Sequence, residues 1–152
     1  LLSINISATV LIQPECVKAL SGYDLSRVVI ELTERESVLS YQALLEVVAS
    51  LRDAGAKFAV DDAGAGYSSL RHIMMLRPEW IKIDHSLVAD VDKSKSQQAL
   101  IRSMVQYGTD MNAVIIAEGI ETPEELETLY RLGVRYGQGY LLARPRQPAV
   151  RH

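Results

Sequence analysis

A single cysteine, Cys16, leaves this chain no partner for an internal disulfide, which suits a reducing compartment. At its place in an apparent helix it reads as a small apolar filler. No apolar run approaches the ~18 residues of a membrane span, so no membrane contact is expected from this segment. Leu1 to Ser7 has neither the charged leader nor the cleavage pattern of a signal peptide. Excess positive charge is missing too. Sixteen Lys and Arg face nineteen Asp and Glu, a net charge of −3, so nothing marks a surface for duplex nucleic acid or anionic lipid. A phosphate-bearing ligand must then be held by local groups or by metal ions. A cytoplasmic location is expected, including that of a cytoplasmic part of a membrane-anchored protein.

What is present is ordinary for a globular chain: 48% hydrophobic and 23% charged residues over 152 positions, enough for one domain with a real core. Short apolar strands alternate with amphipathic helices. Strand patterns lie at Leu2 to Ile6, Val28 to Ile30, Phe58 to Val60, Trp80 to Ile83, Val114 to Ala117 and Val134 to Tyr136. Helical patterns lie at Pro14 to Leu20, Tyr41 to Ala54, Ser68 or Ser69 to Leu76, Ser96 to Met111, and from Thr122-Pro123-Glu124-Glu125 to Gly133. Such alternation means parallel strands joined by helical crossovers. A doubly wound sheet and a (β/α)8 barrel both satisfy it, and the positions of the polar residues favour the barrel.

Those residues sit within or just after the strands: Asn5, Glu31, Asp61 with Asp62, Lys82 and Glu118. In a β/α barrel the C-terminal strand ends meet at one rim, where active sites form. One acid after a strand usually caps a helix or solvates a turn; a series of them is harder to explain that way. Crowded carboxylates repel unless a cation neutralises them. The oxygen-only donors, without His or Cys, select hard cations, Mg²⁺ or Mn²⁺, over zinc. Adjacent strand residues point to opposite faces, so Asp61 and Asp62 share a site only if the chain bends there. Gly64 and Gly66 are expected to permit that bend. Gly64 to Ser69 lacks the lysine and spacing of a nucleotide P-loop and reads as a loop beside the site. Lys82 breaks an apolar strand and needs an anionic partner, a phosphate, a metal-bound hydroxide or a barrel carboxylate. Asp84 is expected to cap the segment after it. His72, His85 and His152 have no mutual ligand spacing and read as surface or helix residues.

In order and approximate spacing, the segments Ile4-Asn5-Ile6-Ser7, Glu31-Leu32-Thr33-Glu34, Asp61-Asp62-Ala63-Gly64-Ala65-Gly66-Tyr67-Ser68-Ser69-Leu70, Lys82-Ile83-Asp84, Ala117-Glu118-Gly119-Ile120-Glu121-Thr122 and Gln138-Gly139-Tyr140-Leu141 resemble the EAL domains. Each is weak alone; together they are very specific. The resemblance runs from Leu1 to about Pro145 and implies an α/β fold, a TIM-like (β/α)8 barrel. It also implies hydrolysis of cyclic di-GMP to linear pGpG by a water activated between two ions, Mg²⁺ or Mn²⁺. By the same resemblance Asn5, Glu31 and Asp61 look like ligands of one ion, and Asp61, Asp62 and Glu118 like ligands of the other. Lys82 looks like the contact of the nucleophilic water, Gln138 like a neighbour of the water and metal shell. Glu34 and Glu121 look like supports of the flexible loop.

Two departures stand out. The Glu-Ala-Leu motif that names the family, on the first barrel strand, has no counterpart here, and its glutamate is a ligand. Since a complete barrel runs to ~250 residues, residues 1–152 are expected to be a partial domain, from the second barrel strand onward, associating or folding loosely on its own. Ala63 and Ala65 replace the usual phenylalanine and threonine of the glycine-rich loop, a change expected to tune that loop. An upstream GGDEF or sensor domain and a homodimer are expected. The rivals are an EAL-type cyclic di-GMP receptor without catalysis, and an unrelated metal-dependent barrel enzyme acting on another phosphorylated substrate. The visible ligand residues favour the enzyme over the first, and the motif series speaks against the second.

Overall fold

The computed structural model describes residues 1–33, 40–64 and 67–144. Their strands are β1 (Leu2–Ser7), β2 (Val28–Thr33), β3 (Lys57–Ala63), β4 (Trp80–Ile83), β5 (Val114–Ala117) and β6 (Tyr136–Gly137). The helices are α1 (Ala8–Leu11), α2 (Pro14–Leu20), α3 (Tyr41–Asp53), α4 (Tyr67–Leu76), α5 (His85–Val88), α6 (Lys95–Met111) and α7 (Pro123–Leu132). A short 3₁₀ turn at Leu25–Arg27 leads into β2.

The strands form one sheet in the order β1-β2-β3-β4-β5-β6, and every neighbouring pair is parallel. The chain thus climbs through one β/α unit after another, as the sequence predicts, in the manner of a TIM-like barrel wall. Among the described residues β1 and β6 are the sheet edges. No helix among them is long and apolar enough to cross a membrane.

The registers sort side chains by face. Successive strand residues point to opposite sides, so Val28, Ile30 and Leu32 share a face with Phe58 and Val60, with Ile81 and Ile83, and with Ile115 and Ala117. All nine are buried and belong to the core, together with Leu44, Val48 and Leu51 of α3, Ile73 and Leu76 of α4, Ile101 and Met104 of α6, and Leu129 of α7. The other face carries Asn5, Glu31, Asp61, Lys82 and Glu118 at its C-terminal end, above small or apolar residues such as Val29 and Ala59. This division of labour, an apolar face under helices and a face that turns polar at one end, is what builds a site on a β/α wall.

Helix boundaries follow local chemistry. Ser40 and Ser94 accept hydrogen bonds from backbone N–H groups in the first turns of α3 and α6. Thr122 and Glu125 form a reciprocal capping box at the start of α7, with Pro123 in the first turn. Cys16 lies half-buried on α2, packed against the core. Three short elements were not legible in the sequence pattern: α1, the 3₁₀ turn, and α5, which Asp84 caps through the N–H of Ser86 at 2.9 Å. The last strand lies at Tyr136–Gly137, slightly later than the Val134 to Tyr136 pattern, and Val134 is instead a buried core residue ahead of it. His72 is helical and buried, its ring centroid 5.6 Å from that of Tyr41; His85 is the exposed first residue of α5. His152 lies outside the described residues.

Candidate active site

The polar rim residues of neighbouring strands converge. Asn5 is in register with Glu31 across the β1–β2 pair, which puts the two side chains on one face of adjacent strands. Ser3, one pleat below, donates a hydrogen bond to Glu31 Oε1. The Lys82 ammonium sits at the centre: 2.9 Å from Glu31 Oε2, 3.0 Å from Asp61 Oδ1 and 2.8 Å from Glu118 Oε1. Gln138 Nε2 donates to Glu118 Oε1 at 2.6 Å. Six residues from six strands or strand ends, Ser3, Glu31, Asp61, Lys82, Glu118 and Gln138, therefore meet in one network.

Asp61 and Asp62 join it through a bend that is made before Gly64. Val60 pairs with Ile81 and Ala63 pairs with Ile83, so Asp61 and Asp62 together stand opposite the single residue Lys82. This is a β-bulge, in which one strand carries an extra residue and bends. The bend is made at Asp62 itself, whose φ is 54°, a left-handed conformation that aspartate tolerates better than most residues. Gly64, with φ 104°, turns the chain away only afterwards, and Gly66 lies outside the described residues. The bulge returns Asp62 to the site, and one carboxylate oxygen from each of Asp61, Asp62 and Glu118 lies within 4.8 Å of the others.

The electrostatics of the cluster follow from burial. Removal from water would by itself depress the Lys82 pKa, but the hydrogen bonds that its ammonium donates to Glu118, Glu31 and Asp61 outweigh it and hold the ammonium above the ordinary lysine value. Lys82 therefore stays charged throughout the neutral range. Burial pushes Glu118 above the usual glutamate value, opposed by Lys82 and reinforced by the charge on Asp61.

The donor set fits divalent cations. Three carboxylates converge with hard oxygen donors and no nitrogen or sulfur, the chemistry of Mg²⁺, Mn²⁺ or Ca²⁺ sites rather than zinc. Asn5 and Glu31 extend the oxygen donors along the rim toward β1. Gln138 holds one Glu118 oxygen in place, the kind of outer contact that orients a ligand.

Glu34 lies outside the described residues. Glu121 is exposed, and its backbone N–H donates to Glu125 Oε2 at 2.9 Å. The sequence did not single out Glu125 beyond its capping position, yet it is buried and accepts from the backbone N–H groups of Asp90, Glu121 and Thr122 at 2.9–3.0 Å. Burial would raise its pKa, but those three bonds prevail and hold it below the ordinary value. The signal for it was the capping box; the third bond, from the loop after α5, depends on tertiary structure.

The family model described as "EAL domain" matches residues 1–145. The cyclic di-GMP phosphodiesterase PdeR of Escherichia coli is 32% identical over 154 residues, which take in 97% of this chain and 23% of that protein. The structure of Klebsiella pneumoniae BlrP1 in a manganese/cyclic di-GMP complex superposes with a TM-score of 0.85 at 37% identity, covering 94% of this chain and 38% of that one; BlrP1 has also been solved as a calcium/cyclic di-GMP complex. The EAL domain of Mycobacterium smegmatis DcpA superposes with a TM-score of 0.87 at 29% identity, covering 95% of this chain and 68% of that one. The chain spans between 15% and 30% of the length of the curated relatives it matches. By the extent of the family match and by its likeness to these structures, this chain belongs to the EAL domain family.

Proposed function

We propose that this domain hydrolyses one phosphodiester bond of cyclic di-GMP, giving linear pGpG, with two divalent ions, Mg²⁺ or Mn²⁺, held at the strand-end rim. The observation that carries the proposal is the convergence of Asp61, Asp62 and Glu118 around Lys82 at the polar end of the sheet. Its likeness to an enzyme named for this reaction and to an EAL protein bound to manganese and cyclic di-GMP supports it.

Each residue then has a task. Asn5, Glu31 and Asp61 would hold one ion, and Asp61, Asp62 and Glu118 the second. When bound, such ions would make hydroxide available near neutral pH and neutralise charge on phosphoryl oxygens. Lys82 orients the attacking water with its ammonium, which its three carboxylate neighbours keep protonated. Gln138 fixes the rotamer of Glu118 through its 2.6 Å hydrogen bond. Glu34 and Glu121 support the glycine-rich loop. No protein nucleophile is needed, because the attacking group is water.

We also propose a cytoplasmic homodimer, with a GGDEF or sensor domain upstream in the full polypeptide. Mass in solution checks the dimer. The reaction is tested by incubating the purified protein with cyclic di-GMP and Mn²⁺ and identifying the product: linear pGpG supports the assignment. Tight binding of an unchanged dinucleotide contradicts it and leaves a receptor.

A further inference from the structure

The short helix α5 touches the two chain reversals that directly follow the clustered carboxylates. Gly119 follows Glu118 and has φ 71°. His85, the first residue of α5, packs closely against it: a Cβ built on Gly119 would stand 2.8 Å from His85 Cγ. The His85 Nδ1–H donates to the Gly119 carbonyl at 3.1 Å. Gly64 follows the Asp61–Asp62 bulge and has φ 104°. There a Cβ would stand 3.0 Å from Leu87 Cγ, also on α5. A side chain on Gly119 would collide with the His85 ring and Cβ, one on Gly64 would force Leu87 to move, and both glycines need a backbone conformation that L side chains rarely adopt.

The helix is itself well anchored. Asp84 caps it, and the Asp84 N–H donates to the carbonyl of Ala63 at 3.2 Å, tying α5 to the end of the bulged strand. Gln97 of α6 donates from Nε2 to the carbonyls of Ser86 and Ala89, each at 3.0 Å. Val88 is buried in the core. A four-residue helix with contacts of this kind on both sides holds two loops at a fixed separation.

We propose that α5 is a clamp that sets the distance between the Asp61–Asp62 carboxylates and Glu118, with His85 as a positioning residue acting through Gly119. The clamp rests on the metal-site reading above. It also makes His85 matter without any contact between its ring and the ions. Removing its hydrogen bond lets the Gly119 turn relax and Glu118 drift from its partners, which weakens ion binding. Loss of an outer orienting contact typically lowers metal affinity by about 10-fold or more.

The test compares His85→Phe with His85→Asn in the longest natural polypeptide that contains residues 1–152. Phenylalanine keeps a ring against Gly119 but has no N–H; asparagine places an amide N–H close to where Nδ1 stands. Mn²⁺ affinity is measured by calorimetry in the absence of substrate, with thermal melting of the metal-free protein beside it. The clamp predicts about 10-fold weaker Mn²⁺ binding for His85→Phe, recovery of most of that loss in His85→Asn, and little change in melting for either. Where cyclic di-GMP is cleaved, the loss in His85→Phe shows as a higher Mn²⁺ requirement, with turnover at saturating Mn²⁺ largely kept. Unchanged Mn²⁺ affinity in His85→Phe overturns the clamp while leaving the metal site intact. A fall in affinity matched by a fall in melting temperature in both variants also overturns it, since His85 would then serve stability alone. Absence of Mn²⁺ binding by the unsubstituted protein removes the metal site and the clamp with it.

Discussion

Asp61 and Asp62 are consecutive residues of one strand, yet a carboxylate oxygen of each lies within 4.8 Å of the other and of Glu118. A regular strand would send them to opposite faces. The bulge opposite Lys82 and the left-handed backbone at Asp62 bring them together.

The backbone and the side chain of Asp62 therefore make separable contributions. Asp62→Gly keeps a residue that accepts φ 54° without strain and deletes one carboxylate. The expected outcome is a melting temperature equal to or above that of the unsubstituted protein, with Mn²⁺ affinity reduced at least 10-fold. Asp62→Val, β-branched and unsuited to positive φ, should lose stability as well. Equal Mn²⁺ affinity in Asp62→Gly, by calorimetry, contradicts the assignment of Asp62 to the ion-binding set.

Much of this arrangement is legible in the sequence. The apolar strands and capped helices follow from the need to bury one sheet face under helices, and Phe58, Ile81 and Ile115 show that need directly. Glu31, Asp61, Lys82 and Glu118 stand out because charge at a strand end is anomalous within an apolar pattern. The bulge is not legible. Nothing local distinguishes Asp62 from a turn aspartate until β4 is paired beside it. Nor is α5, since four residues are too few for a periodic signal and its anchor, Gln97, lies on another helix. Glu125 shows its cap in the sequence, but its bond to the Asp90 N–H spans 35 residues.

Lys82 is both the internal counter-ion of three carboxylates and the proposed orienting group for water. Lys82→Ala should lower turnover of cyclic di-GMP by roughly 100-fold, the effect of losing about 3 kcal/mol of transition-state stabilisation, while Mn²⁺ still binds. In metal-free protein the same change leaves Glu31, Asp61 and Glu118 facing one another without a cation, at a cost on the order of 3 kcal/mol. Mn²⁺ should then raise the melting temperature of the variant more than that of the unsubstituted protein. Unchanged turnover would make Lys82 a structural ion-pair partner only.

Glu125 gives a pH-dependent test of the fold around Glu118. Its folded-state pKa is held below the ordinary glutamate value of 4.5. Its carboxylate therefore contributes stability that is present above that value and is lost as pH falls through the folded-state pKa. Glu125→Gln should destabilise the protein at pH 7 by about 1.5–3 kcal/mol, the range for hydrogen bonds to a charged group. The penalty should shrink as pH falls below about 4.5. Denaturant melts at several pH values check this, and a penalty that grows in acid would reverse the sign of the argument.

The central claim, that the rim carboxylates serve a divalent ion that drives phosphodiester hydrolysis, is tested most directly by one measurement. Cleavage of cyclic di-GMP is followed by product analysis, in Mn²⁺ and in chelator, for the longest natural polypeptide containing this chain and for its Asp61→Asn variant. The account predicts linear pGpG from the unsubstituted protein in Mn²⁺ only, and at least 100-fold less product from the variant. Cleavage that persists in chelator, or that survives Asp61→Asn undiminished, would contradict it.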